Sequence, residues 1–166
     1  IPGAPLGEVL CKEGNFNAGV CSMSFEYKGL ETHAAHPWEG RNPALQIAQL
    51  SQWAAESEVA NQEHSDYYLC TPVYSHLGAK NYGISPGIGG LHFTARAWNG
   101  DLIQTKMRAL HAKAEANAKE ANFELELKKF EEFWPVLNHK SALDQLQKAC
   151  ASLNYTCREM PHPYSW

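Results

Sequence analysis

A chain of 166 residues, 44% of them hydrophobic, has the size of an ordinary domain and enough apolar side chain for a real core, which excludes intrinsic disorder. Fourteen basic against eighteen acidic residues leave a net charge of −4, so the electrostatics favour neither nucleic acid nor an anionic membrane as a partner. No apolar stretch approaches the roughly 20 residues of a membrane-spanning helix and no signal-peptide layout opens the chain, which reads as soluble and cytoplasmic.

The opening segment, IPGAPLGEVLCKEGNFNAG, starts without methionine, and the closing HPYSW carries no polar finishing segment; both are expected of a piece of a longer protein. Residues 20–27, VCSMSFEY, alternate strictly, with Cys21, Met23, Phe25 and Tyr27 on one face of a strand and Ser22, Ser24 and Glu26 on the other. The connection GLETHAAHPWEGR follows. Asn42-Pro43 then starts a helix, with Asn42 as N-cap, and Leu45, Ile47, Ala48, Leu50, Trp53 and Ala54 predict one buried face through about Ser57.

A polar break at 60–66 leads to YYLCTPVY, a strand whose Pro72 calls for an edge position or a bulge. GAKNYGISPGIGG reads as a wide loop, and LHFTARAW alternates again, with Leu91, Phe93, Ala95 and Ala97 on one side. Asn99, Gly100 and Asp101 turn the chain into a second helix with a stripe of Ile103, Met107, Leu110, Ala114, Ala118 and Ala121; FELELKKF is a fourth strand. Residues 20–134 thus read as an α+β, ferredoxin-like βαββαβ unit: a four-stranded antiparallel sheet with two helices on one face. After Pro135, Ser141 to Asp144 has the form of a capping box, a third helix carries Leu143, Leu146, Ala149, Cys150 and Leu153, and YTCREM is a short strand. Residues 1–19 and 135–166 together look foreign to the four-stranded unit.

The five cysteines, at 11, 21, 70, 150 and 157, are odd in number and lack a C-x-x-C, so they read as reduced thiols rather than a disulfide framework or zinc ribbon. His33 and His36 admit three readings: polar punctuation between strand and helix, a metal pair, or an imidazole N–H aimed at developing charge. A metal needs three or four converging ligands, and no partner stands at a recognisable spacing. Arg96 falls on the non-core face of its strand, either as a carboxylate binder or in a surface ion pair. SPGIGG lacks the Lys-Ser/Thr of a phosphate-binding loop, and the remaining histidines are scattered.

Several stretches taken together resemble the aminoacylase and carboxypeptidase family of dinuclear zinc hydrolases, in particular its amidohydrolase branch of hippurate hydrolases and N-acyl-amino-acid deacylases. These are IPGAPLG with its following NAG, FEYKGLETHAAHPWEGRNPALQIAQL with the family's HAA-x-P and helix start, Asn81, FTARAWNGD and MPHPYSW. The resemblance implies that 1–19 leaves a catalytic α/β domain, that 20–134 is the inserted lid or dimerisation domain, and that 135–166 returns to the catalytic domain. It implies a homodimer hydrolysing the amide bond of an N-acyl amino acid or small peptide. In such a dimer His33 reaches the scissile carbonyl oxygen in the partner's active site, while Asn81 and Arg96 hold the substrate's carboxylate or amide end. It also implies two zinc ions in the parent enzyme, with ligands outside this chain, so that the piece binds no metal and is inactive alone. NYGISPG stands where the family usually has NVIPD, and the spacing from Asn81 to Arg96 is longer than usual. The alternative reading is a free-standing ferredoxin-like module for small-ligand binding or assembly, without catalysis.

Overall fold

A computed structural model describes residues 4–164. Ile1 to Gly3 and Ser165 to Trp166, which complete the two terminal motifs, lie outside the described residues. In chain order the elements are β1 (Val9–Cys11), β2 (Gly14–Asn17), β3 (Gly19–Lys28), β4 (Thr32–His33), α1 (Ala44–Glu56), β5 (Tyr68–Leu77), β6 (Ile84–Ser85), β7 (Ile88–Ala97), α2 (Gly100–Glu120), β8 (Glu124–Phe133), β9 (Val136–Asn138), α3 (Lys140–Ser152) and β10 (Cys157–Glu159).

Four long strands form one antiparallel sheet in the order β5-β7-β3-β8. Alternation decides which side of that sheet is dry. Cys21, Met23, Phe25 and Tyr27 of β3 and Leu91, Phe93, Ala95 and Ala97 of β7 point to one face, where all eight are buried. Leu50 and Ala54 of α1 and Ile103, Met107, Leu110, Ala114 and Ala118 of α2 cover that face, so both helices lie on the same side. Phe25 and Phe93 meet edge to face at 5.9 Å across paired strands, a geometry that aligns positive ring edge with negative ring face. Burial pushes the Tyr27 hydroxyl up to about 12 and the Cys70 thiol up to about 11.

Asn99 caps α2, its Oδ1 accepting from the N–H groups of Asp101 and Leu102 at 2.8 and 3.3 Å. Pro72 lies on the edge strand β5, and the register with β7 slips between Pro72 and Tyr74, so edge position and bulge occur together.

Several local expectations are corrected. α1 turns Gln46 into the interior and leaves Leu45 62% exposed, with Ala48 exposed as well, because its contact line runs through Ile47, Leu50 and Ala54. Pro43 takes the N-cap position, although the Asn42 side chain still accepts from the Ala44 N–H at 3.0 Å. α3 starts at Lys140 rather than behind a Ser141 cap, and Asp144 pairs instead with Lys140 at 2.8 Å, one helical turn away. Its expected stripe is buried only at Leu143 and Cys150; Leu153 is 66% exposed. The glycine-rich loop is shorter than expected, since Ile88, Gly89 and Gly90 already belong to β7. The two ends of the chain meet, β1 pairing parallel to β10 and β2 antiparallel to β9.

Candidate functional site

The chain leaves β3 at Lys28 and makes a tight excursion before α1. Gly29 and Gly87 are needed there because a Cβ on either would strike backbone, Arg41 in the first case and Glu31 in the second. The excursion includes β4, which pairs antiparallel with β6 so that Thr32 faces Ser85 and His33 faces Ile84. The Ala34 N–H then donates to the Gly83 carbonyl at 2.9 Å, and a single turn of 3₁₀ helix, Pro37–Glu39, leads back toward α1.

His33 is exposed at the tip of this excursion. Its Nδ1 accepts from the Ala35 N–H at 3.1 Å. An imidazole nitrogen that accepts carries no proton, so the neutral ring holds its proton on Nε2, which faces away from its own backbone as a donor. His36 stacks obliquely on both His33 and Trp38 and lies 4.0 Å from Glu39. Trp38 is 75% and Tyr82 89% exposed, giving the polar tip an apolar surround.

Asn81 lies in the loop before β6, exposed, where its Oδ1 accepts from the Gly83 N–H at 3.0 Å. Since Gly83 also receives the Ala34 bond, Asn81 and His33 share one end of the sheet. Arg96 does not join them. It lies eight residues along β7 from Ile88, roughly 26 Å at the rise of an extended strand, half-buried on the face away from the helices. Near that other end an open cavity of about 650 Å³ is lined by Lys12, His64, Trp98, Asn99, Pro135 and His162 among others, and none of the three sequence-derived candidates borders it.

Two arrangements were not singled out from the sequence. On the helix-free face, the Glu26 carboxylate leans over Gly90 and meets His76 Nε2 at 2.8 Å and His92 Nε2 at 3.0 Å. Tyr74 stacks on His76, and Phe130 lies flat on His92. Strand alternation places Glu26 and His92 on this face, but only the pairing register puts Glu26, Gly90 and His76 in one row. The second arrangement is a cluster of three cysteines at the joined chain ends. Among the described residues no group of three or more His, Cys, Asp or Glu side chains could hold a metal ion, and no helix is long and apolar enough to cross a membrane.

No family model matches the chain. An N-acetyldiaminopimelate deacetylase of Streptococcus sanguinis is 29% identical over 147 residues, covering 87% of this chain. Among solved structures, an aminobenzoyl-glutamate utilization protein from Klebsiella pneumoniae superposes with a TM-score of 0.80 over 98% of the chain at 18% identity, matching 41% of that protein. Its relatives and structural neighbours are M20-family amidohydrolases and peptidases. YxeP of Bacillus subtilis, described as a dinuclear metal-binding peptidase of the M20 family, aligns over 100% of this chain and 40% of its own, with a TM-score of 0.67 at 18% identity. The chain spans 38% of the length of the deacetylase. These comparisons agree with the family resemblance read from the HAA-x-P stretch and its companion landmarks.

Proposed function

We propose that this chain is the lid and dimerisation region of a cytoplasmic, metal-dependent amidohydrolase or peptidase. On this reading 20–134 is a ferredoxin-like platform, 1–19 leaves the catalytic domain and 135–166 returns to it. The parent is a homodimer that hydrolyses the amide bond of an N-acyl amino acid or a small peptide. Its two divalent ions, zinc by family resemblance, activate the reaction in the remainder of the parent; among the described residues no group of His, Cys, Asp or Glu side chains fits a metal site.

The observation that carries the reading is the orientation of His33. Its Nδ1 is committed to the Ala35 N–H, so its Nε2–H is free to donate to an external oxygen. When an amide carbonyl is attacked, negative charge grows on its oxygen. A preorganised donor that meets that charge stabilises the transition state more than the ground state. The separation of His33 from Arg96 within one copy supports supply of the histidine to a partner, because Arg96 lies roughly 26 Å along β7 from Ile88, at the end of the sheet opposite His33. Edge strand β5 offers the contact: Val73 and Tyr74 on it are 59% and 56% exposed, and beyond the Val59–Tyr68 bridge and the Cys70 N–H bond to Glu58 its outer edge pairs with no strand among the described residues. Exposed Leu137, Leu146, Leu153 and Tyr155 on the joined ends support their packing against further protein.

The test is His33→Ala in the full-length parent, with turnover of acyl amino acids, bound metal and dimer mass measured together. Loss of one such donor is expected to lower kcat by about 100- to 1,000-fold with metal and dimer unchanged. Wild-type turnover in the variant would refute the role given to His33.

A further inference from the structure

Where the first and last strands run side by side, three sulfur atoms converge. Cys11 closes β1, Cys157 opens β10 and Cys150 lies near the end of α3. The Sγ atoms of Cys11 and Cys157 are 3.5 Å apart although the residues are 146 positions apart in the chain. Cys150 lies close enough to add to the upward push on the Cys157 thiol. Cys11 is 2% and Cys150 5% exposed, whereas Cys157 is partly exposed. Cys21 and Cys70 belong to the separate core beneath the four-stranded sheet.

A single buried thiol behaves as a small hydrophobe, and its presence needs no chemistry. Two thiols already in sulfur–sulfur contact, one of them within reach of solvent, are different. A disulfide has its sulfurs about 2.05 Å apart, so roughly 1.5 Å of approach separates this contact from a covalent bond. In the strand register Cys157 stands opposite Val9 and Cys11 opposite Glu159, so the two cysteines are diagonal neighbours on one face, roughly 7–8 Å apart at Cα, and closing the bond draws the paired strand ends slightly together.

We propose that Cys11 and Cys157 are a redox-active dithiol, oxidised to an intramolecular disulfide by exchange with a low-molecular-weight disulfide of the oxidised glutathione type. Cys157, the accessible member, loses its proton to solvent, and its thiolate attacks one sulfur of the small disulfide. That S–S bond breaks, leaving a mixed disulfide on Cys157 and releasing one small thiolate. Cys11, deprotonated in turn, attacks the Cys157 sulfur, forms the Cys11–Cys157 bond and expels the second small thiolate. Two cysteine sulfurs are oxidised, the small disulfide is reduced to two thiols, and the protons lost by the cysteines are returned to those thiols. The bond would tie the start of the chain to its end, across strands now held by hydrogen bonds such as Met160 N–H to the Cys11 carbonyl at 2.8 Å.

Burial first, and then contact with Cys11, push the Cys157 thiol up to about 12. Only the thiolate attacks, so exchange is slow at neutral pH and accelerates as the pH rises.

The test treats the full chain with oxidised glutathione at neutral and mildly alkaline pH, blocks remaining thiols with an alkylating agent and maps the peptides by mass spectrometry. Trypsin leaves Cys11 on the peptide ending at Lys12 but keeps Cys150 and Cys157 together on the peptide ending at Arg158, so chymotryptic cleavage after Tyr155 is added to separate them. The expected product joins the Cys11 and Cys157 peptides with the loss of two hydrogens, forms faster at the higher pH, and disappears on treatment with a phosphine. No variant is required, so a folding defect cannot obscure the result. Five alkylated thiols after oxidation, a Cys11–Cys150 link, or disulfides only between molecules would each overturn the proposal.

Discussion

Replacing Gly90 with alanine would put a methyl group where the Glu26 carboxylate now lies, because that carboxylate crosses the bare backbone of β7 to reach the histidines. The side chain of Glu26 is flexible, so it would swing aside rather than force the strands apart. What is lost is the pair of hydrogen bonds at 2.8 and 3.0 Å, each worth about 0.5–1.5 kcal/mol, or about 1–3 kcal/mol together. Alanine returns roughly 0.5–1 kcal/mol through lower backbone freedom in the unfolded chain, so the single substitution alone is a weak test. A double-mutant cycle is decisive. Glu26→Ala removes the same two bonds, and in its background Gly90→Ala has no carboxylate to displace and is neutral or stabilising. Urea unfolding of wild type, both single variants and the double variant should therefore give a coupling of about 1–3 kcal/mol. Additivity within about 0.5 kcal/mol would refute the idea that Gly90 serves as the seat of this carboxylate.

The Tyr27 hydroxyl is buried with no hydrogen-bond partner among the described residues, so Tyr27→Phe should be neutral or stabilising at neutral pH, checked by its urea midpoint. Because its folded pKa is raised to about 12, Tyr27 ionises more readily in the unfolded chain; its contribution is complete below about pH 10 and fades as the pH climbs toward about 12. Tyr27→Phe should flatten that part of the stability-against-pH curve, and an unchanged slope would count against it. Asn99→Ala removes the acceptor that caps α2 and should cost about 1 kcal/mol by the same assay, with Asn99→Ser recovering most of it.

How far the sequence could be read depended on whether the information was periodic or relational. The β3 and β7 faces were legible because each alternates cleanly between apolar and polar side chains, and α2 because its stripe from Ile103 to Ala118 keeps helical spacing. Leu45 misled because apolar character alone does not say which residues of a helix's first turn reach the sheet, and the tertiary contact line passes it by. Ser141 misled because its capping-box pattern competes with a helix that already begins at Lys140. The family landmarks around His33 were visible as motifs, yet the Ala35 contact that fixes its tautomer depends on a local turn no spacing rule specifies. The meetings of Glu26 with His76 and of Cys11 with Cys157 are products of strand register across 50 and 146 positions, where one-dimensional pattern carries no signal.

Within one copy, His33 and Arg96 sit at opposite ends of the sheet, and this geometry supplies the sharpest test of the proposed dimer. A two-fold axis across β5 would run the two edge strands antiparallel, bringing the His33 end of one copy alongside the Arg96 end of the other. If each active site takes its histidine from one subunit and its arginine from the other, His33→Ala and Arg96→Ala should each be inactive as homodimers of the parent. A mixed dimer would hold one site with both defects and one with neither. Random re-association of equal amounts makes half the dimers mixed, so the mixture should regain about a quarter of wild-type turnover. Activity that stays at the level of the separate variants, with mixed dimers demonstrated by mass, would mean that both side chains serve the same subunit or that neither serves the site.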